Sequence, residues 1–171
     1  MKRQYFLKTD RIGFSEWTEK DIDLAYLLWS DHAVTKYICA NGKFTEQDIQ
    51  NRLSKEIDNK TLYHVQYWPI FDLESDDFIG CCGLRPFEME NHIFEIGIHL
   101  RPIYWGKGMA TEAIQGIINY AFNTLTVDNI FAGHHPDNTD SKKLLEKLGF
   151  KYIGDNFYAP TQLYHPSYKY R

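Results

Sequence analysis

Three short segments carry residues whose types and spacing could do chemistry. The first is Trp105-Gly106-Lys107-Gly108-Met109-Ala110, followed by Thr111, where a helical period begins. Two glycines and a small residue keep side chains clear of the first-turn N–H groups. Those donors have no intrahelical acceptor and lie at the positive end of the helix dipole. The loop suits an anion, and a phosphate or pyrophosphate fits best. The second is Glu95, flanked by Phe94, Ile96 and Ile98. Desolvation in such a strand favours the acid form, which moves a carboxylate toward the base strength useful near neutrality. A surface strand carboxylate is the competing reading, because Glu95 has the opposite parity to Ile96, Ile98 and Leu100. His64 and His99 are rival bases, each read more simply as a structural histidine. The third segment is Asn138-x-x-Ser141, ahead of a short helix that ends in Leu148-Gly149-Phe150. Asn138 can cap that helix or bond a ligand amide, and the Ser141 hydroxyl can donate to a sulfur or carbonyl. Plain helix capping accounts for either residue equally well.

Other chemistries find little support. His134-His135-Pro136-Asp137 has no His-x3-His spacing and no nearby cysteine, so no metal site is expected. No Gly-x-Ser-x-Gly elbow is present. Cys39, Cys81 and Cys82 are an odd set with two members adjacent, a poor disulfide framework, and nothing marks either neighbour as an activated nucleophile. Strand alternation predicts one core thiol and one outward thiol for Cys81 and Cys82.

These residues need a scaffold that switches period. Ile93 to Leu100 alternates as a strand and Pro102 stops it. Ala110, Ala113, Ile114, Ile117, Ile118, Ala121 and Phe122 then form one apolar helical stripe. Upstream, a first strand is expected over Asp10 to Trp17. Cap signals at Thr18-x-x-Asp21 and Thr45-x-x-Asp48 precede helices, the second ending near Lys60. A strand is expected from Leu62 to Phe71, with Pro69 suggesting an edge or a bulge. Another runs from Phe78 to Leu84. Downstream, Asn129 to His134 reads as a strand, Ser141 to Leu148 as a helix, and Phe150 to Ile153 and Leu163 to Tyr170 as closing strands. The fold class is α/β, a mixed and mostly antiparallel sheet of about seven strands flanked by helices, in one domain over residues 1–171.

The 171 residues bear a net charge of −4, which argues against nucleic acid as the main partner and mildly for cationic substrates. The N-terminus has no apolar run of signal-peptide length, and no span reaches membrane length. These features point to the cytoplasm and away from a membrane partner.

The loop separates the remaining options. A Walker loop needs four residues between its glycines and then Gly-Lys-Ser/Thr, and a Rossmann fingerprint wants glycine where Thr111 stands. The pattern Arg/Gln-x-x-Gly-x-Gly/Ala, the coenzyme A loop of the GNAT N-acetyltransferases, is met at Gly108 and Ala110. Its first place falls on Trp105. The run Trp-Gly-Lys-Gly-x-Ala-Thr-Glu-Ala resembles the RimJ/RimL-like, ribosomal-protein N-terminal acetyltransferase branch, and Asn138, Ser141 and the Leu-Gly-Phe helix end follow at that family's spacing. The resemblance covers about Asp10 to Tyr170.

It implies a sheet that splays between the strand ending at Leu100 and the strand Ile130 to His134, with acetyl-CoA entering the wedge and no metal. Ile98, His99 and Leu100, the loop from Trp105 to Thr111, Asn138, Ser141 and Lys142 are then the cofactor-binding residues. The family's usual helix tyrosine falls on Leu145, so Ser141 is expected to serve the leaving thiolate. Glu95 is the expected base, and a backbone N–H near Ile98 or His99 would hold the carbonyl oxygen. The implied reaction is direct acetyl transfer to a primary amine, a small molecule or a protein N-terminus, and a homodimer is compatible with it. A catalytically inactive acyl-CoA sensor and a nucleotide-binding α/β protein are the alternatives.

Overall fold

A computed structural model describes residues 2–171. It opens with a small hairpin, β1 (Leu7–Lys8) and β2 (Ile12–Phe14), closed by the Thr9 N–H donating to the Ile12 carbonyl at 2.9 Å. Helices α1 (Ile22–Trp29), α2 (His32–Thr35) and α3 (Glu46–Tyr63) follow. Thr18 with Asp21, and Thr45 with Asp48, close the two capping boxes that the sequence signals, each satisfying two orphan donors. An antiparallel meander comes next, of β3 (Tyr67–Asp72), β4 (Phe78–Glu88) and β5 (Ile93–Leu100). The rest is α4 (Met109–Asn123), β6 (Asn129–Gly133), α5 (Thr139–Lys147), β7 (Lys151–Tyr158) and β8 (Leu163–Tyr170).

One sheet contains all eight strands in the order β1-β2-β3-β4-β5-β6-β8-β7. Only β5 and β6 run parallel, which the intervening helix α4 makes possible. Helices cover both faces of the sheet. On one, the α4 stripe of Ala113, Ile114, Ile117, Ile118 and Ala121, with Leu145 of α5, packs on Cys82, Leu84, Phe94, Ile96 and Leu100. On the other, Leu28 and Trp29 of α1 and Ile49 and Leu53 of α3 pack on Tyr67, Phe71, Phe78 and Cys81. No helix among the described residues is long and apolar enough to cross a membrane.

Several expectations are corrected. The expected fold class holds, with eight strands in the sheet, but the first strand is a pair, β1 and β2. Helix α3 continues through Leu62 and Tyr63 and stops at His64, which takes a left-handed conformation (φ 62°), so the next strand starts only at Tyr67. Pro69 lies in an inner strand between β2 and β4. Its carbonyl still accepts from Ser15 at 3.0 Å, and the register shifts one residue on, at Ile70/Phe71. Cys81 and Cys82 do face opposite sides, but both are fully buried, because each side of the sheet carries its own core. The strands expected from Phe78 and Phe150 run on to Glu88 and, from Lys151, to Tyr158, since β4 pairs along all of β5 and β7 along β8 from Leu163 to Lys169.

Candidate active site

The sheet opens at its centre. Parallel strands β5 and β6 pair only through Ile93–Asn129, Phe94–Ile130 and Glu95–Phe131. Beyond Glu95, β5 continues to Leu100 while β6 turns to β8, pairing Ala132 with Tyr168 and Gly133 with Ser167. Residues Ile96 to Leu100 therefore have backbone groups with no strand partner on that side, and such groups require partners from elsewhere. The open stretch from Glu95 to Leu100 is five residues, ~17 Å at the rise of an extended strand.

Both segments singled out by sequence stand at the mouth of this gap. α4 starts just beyond the end of β5 and α5 just beyond the end of β6, so two helix N-termini flank the same opening. Gly106 and Gly108 are left-handed, with φ of 72° and 77°. Only glycine takes that conformation without steric cost. A Cβ on Gly106 would meet nothing within 4 Å, and one on Gly108 only Arg11 Nη2 at 3.4 Å, so the loop is uncrowded at both glycines. Gly108 offers no capping side chain, which leaves the first-turn donors of α4 unfilled. Met109 and Leu100 bury their side chains in the core and can serve a ligand only through their backbones.

Trp105 departs from the expected role. Its indole N–H donates to the Leu100 carbonyl at 2.9 Å and its backbone N–H to the Pro102 carbonyl at 3.0 Å. Both donors are consumed in folding the loop back on β5, so Trp105 braces the anion site and gives it no N–H. Arg11, which sequence reading passed over, braces it from the other side. Its guanidinium donates to the Lys107 carbonyl (2.9 Å) and pairs with Glu112 (2.9 Å), whose carboxylate also accepts from Thr9 (2.7 Å). Arg11 and Glu112 lie 101 residues apart, beyond the reach of any spacing rule. Lys107 and Lys142 are exposed near the two helix starts.

At α5 the structure separates the two candidate caps. Asn138 Oδ1 accepts from the Ser141 N–H at 3.1 Å, so Asn138 caps the helix and keeps its amide N–H groups for other partners. Among the described residues the half-buried Ser141 hydroxyl makes no hydrogen bond. Ser141 is thus placed in the first turn as an unused donor.

Glu95 lies at the closed end of the gap. Its expected apolar surroundings are absent, because alternation turns Phe94, Ile96 and Ile98 to the α4 face. Glu95 faces α1 and α3 and forms an ion pair with Arg85, its in-register partner on β4. Around them Arg52 pairs with Glu56 at 2.8 Å, and the Arg52 and Arg85 guanidiniums lie 5.1 and 5.6 Å from the Tyr67 ring centre. Tyr158 bonds Arg85 (3.4 Å) and stacks on His165 (4.6 Å); His135 lies 5.7 Å from His165 and 4.9 Å from Tyr37. These aromatic and charged side chains form one cluster beside the gap. None of Arg52, Tyr67, Arg85 or Tyr158 was a sequence candidate: the β3–β4–β5 register brings Tyr67 and Arg85 to this face, while Arg52 arrives on α3 and Tyr158 on β7.

His99 has no free lone pair for base work. The Trp29 indole can only donate, and it donates to His99 Nδ1 at 3.1 Å, which puts the proton of neutral His99 on Nε2. Burial, with Arg52 and Arg85 nearby, holds its pKa well below the usual value. His64 is an exposed helix terminus. Burial pushes the Cys81 and Cys82 thiols up, opposite to what a nucleophile needs.

The chain is similar to known proteins in sequence and in fold. The family model for the acetyltransferase (GNAT) domain matches residues 11–151. An uncharacterised N-acetyltransferase, p20, of Bacillus licheniformis is 36% identical over 149 residues, covering 86% of this chain and 83% of its own. Among solved structures, a GNAT-family acetyltransferase from Bacillus anthracis superposes with a TM-score of 0.78 at 26% identity, over 95% of both chains. RimL, a ribosomal L7/L12 alpha-N-protein acetyltransferase in complex with coenzyme A, gives 0.79 at 14% identity over 95% of this chain and 94% of its own, a likeness of fold.

Proposed function

We propose, on the premise that this chain belongs to the acetyltransferase (GNAT) family and is an acyl-CoA-dependent N-acetyltransferase, that it moves an acetyl group from acetyl-CoA directly to a primary amine. The observation that carries the reading is the opening of β5 from β6 after Glu95, between two helix N-termini. The loop Gly106 to Thr111 would hold the pyrophosphate through backbone N–H groups, helped by Lys107 and Lys142. The open edge of Ile98, His99 and Leu100 would bond the pantetheine amides as an added strand does. Asn138 retains amide donors for the same arm. Acetyl-CoA supplies an activated acyl group on a thiolate leaving group.

The amine would approach from the side of this cluster. Glu95, or a water held against it, takes the ammonium proton so that the nitrogen lone pair is free. The Ser141 hydroxyl, otherwise without a partner, donates to the departing sulfur. A covalent relay through Cys81 or Cys82 is disfavoured by their burial. The cluster pairs two cations with two carboxylates, Arg52 with Glu56 and Arg85 with Glu95. That balance supports an acceptor with one amine, on a small molecule or a protein N-terminus, over a polycation. Thermal-shift titration with acetyl-CoA, coenzyme A, NAD and ATP tests the reading, because a selective ligand raises the melting temperature. A rise with ATP or NAD and none with acetyl-CoA would sink it. Release of coenzyme A with an amine panel then separates an enzyme from a silent sensor.

A further inference from the structure

Tyr67 stands on β3, two strands from the gap, yet its hydroxyl reaches the open half of β5. Tyr67, Gly83 and Gly97 are register partners in a row across β3, β4 and β5. Neither glycine raises a side chain between Tyr67 and the open strand. The Tyr67 ring fills the place where Gly97 would carry a Cβ: that atom would fall 2.3 Å from the phenolic oxygen and 2.4 Å from Cζ. Gly97 is two residues past the last β5–β6 pair. Arg52 and Arg85 hold the ring, and His99 meets its edge at 5.8 Å.

The residue is 3% exposed, its N–H is bound by Glu56 and its carbonyl by Trp17, but its hydroxyl has no hydrogen-bond partner among the described residues. No fully buried side-chain oxygen or nitrogen among the described residues lacks a partner, so the unpaired Tyr67 hydroxyl is open to the space beside Gly97, where a ligand can meet it. Burial holds the phenol well above its usual pKa, with Arg85 and Arg52 pulling the other way, so it stays protonated and able to donate.

We infer that the Tyr67 hydroxyl is a catalytic donor that hydrogen-bonds the thioester carbonyl oxygen beside Gly97, a side-chain complement to the backbone N–H of β5. The inference rests on the acetyl-transfer reading. In the step it serves, the amine nitrogen bonds to the carbonyl carbon and the carbonyl electron pair moves onto oxygen, where Tyr67 stabilises the charge without giving up its proton. The pair returns as the carbon–sulfur bond breaks and coenzyme A leaves as thiolate. The amine's proton goes to Glu95 or water. Arg52 and Arg85, each paired with its own carboxylate, hold the ring in place, so the hydroxyl is preorganised toward an oxyanion there.

Tyr67→Phe removes the hydroxyl and keeps the ring. Its kcat is expected to fall on the order of 100-fold, the loss typical of one oxyanion donor, while acetyl-CoA affinity changes within about threefold. Infrared difference spectra of bound acetyl-CoA, isotopically labelled at the thioester carbon, give a readout that needs no acceptor. The carbonyl stretch should lie at lower frequency in the wild type than in Tyr67→Phe. Equal frequencies, or a kcat within about threefold of wild type in a folded variant, would overturn the inference and return Tyr67 to packing. If acetyl-CoA does not raise the wild-type melting temperature, the acetyl-transfer reading fails first and this donor falls with it.

Discussion

The two faces of β5 come from one strand and meet opposite environments. Toward α4 it presents Phe94, Ile96, Ile98 and Leu100, packed on the apolar stripe that ends in the anion loop. Toward α1 and α3 it presents Glu95, Gly97 and His99, set among Arg52, Tyr67 and Arg85. The first face is built from local rules: a two-residue alternation, a helical period and two glycines. The second is built by strand register, which brings together residues distant in sequence. On the proposed reading, the difference divides the labour of an acyl transfer, with cofactor binding at the end of one face and acceptor chemistry on the other.

The sharpest way to break this division is Glu95→Gln. Turnover at saturating substrate should fall by roughly 10²–10⁴-fold, the scale of a lost general base, with acetyl-CoA binding nearly unchanged. An unaltered rate and pH profile would move the proton acceptor to water. Gly108→Val is the mirror experiment. A β-branched side chain at φ 77° is strained and enters the anion site. Acetyl-CoA affinity should drop on the order of 100-fold, comparable to losing two charge-assisted hydrogen bonds. Isothermal titration of the folded variant checks it, and unchanged binding would remove the cofactor assignment.

Ser141→Ala probes the boundary between the two functions. A loss of roughly 10-fold in turnover is expected from one lost bond to the departing sulfur. Its stability should barely move, whereas Asn138→Ala should cost about 1 kcal/mol as the true cap. The opposite pattern in paired melting and rate measurements would reverse the two roles.

The smallest effect is a pH dependence on the side of the charged cluster. His99 is held well below its unfolded pKa of about 6.5, so the unfolded chain binds its proton first. His165, pushed down to about 4 by burial and by His135 and His134, acts in the same sense. Stability from both is therefore full above about pH 6.5 and declines as pH falls below it. His99→Gln, which keeps an acceptor for the Trp29 indole, should flatten the fall in melting temperature from pH 7 to pH 5. An identical pH slope in the variant would show that His99 contributes nothing to it.

Legibility followed the same line. The glycine loop, the α4 stripe, both Thr–Asp caps and the strand from Ile93 were readable because each is a local pattern, carried by residues within a few positions of one another. The Asn138–Ser141 segment was readable as a pair, but not which member caps, since that depends on a side-chain rotamer. Trp105 matched the first place of the anion loop in spacing, and only its bonds to Leu100 and Pro102 show that its donors are used up.

The chain's sequence by itself determined the family, the strand–loop–helix core of the anion site and the position of Glu95, because hydrophobic period and glycine geometry act over short distances. The tertiary structure alone decided what surrounds Glu95, which cation braces the loop and where the Tyr67 hydroxyl ends. Those depend on register: Arg85 meets Glu95 and Tyr67 reaches Gly97 because three strands align, and a shift of one residue would turn each side chain to the other face.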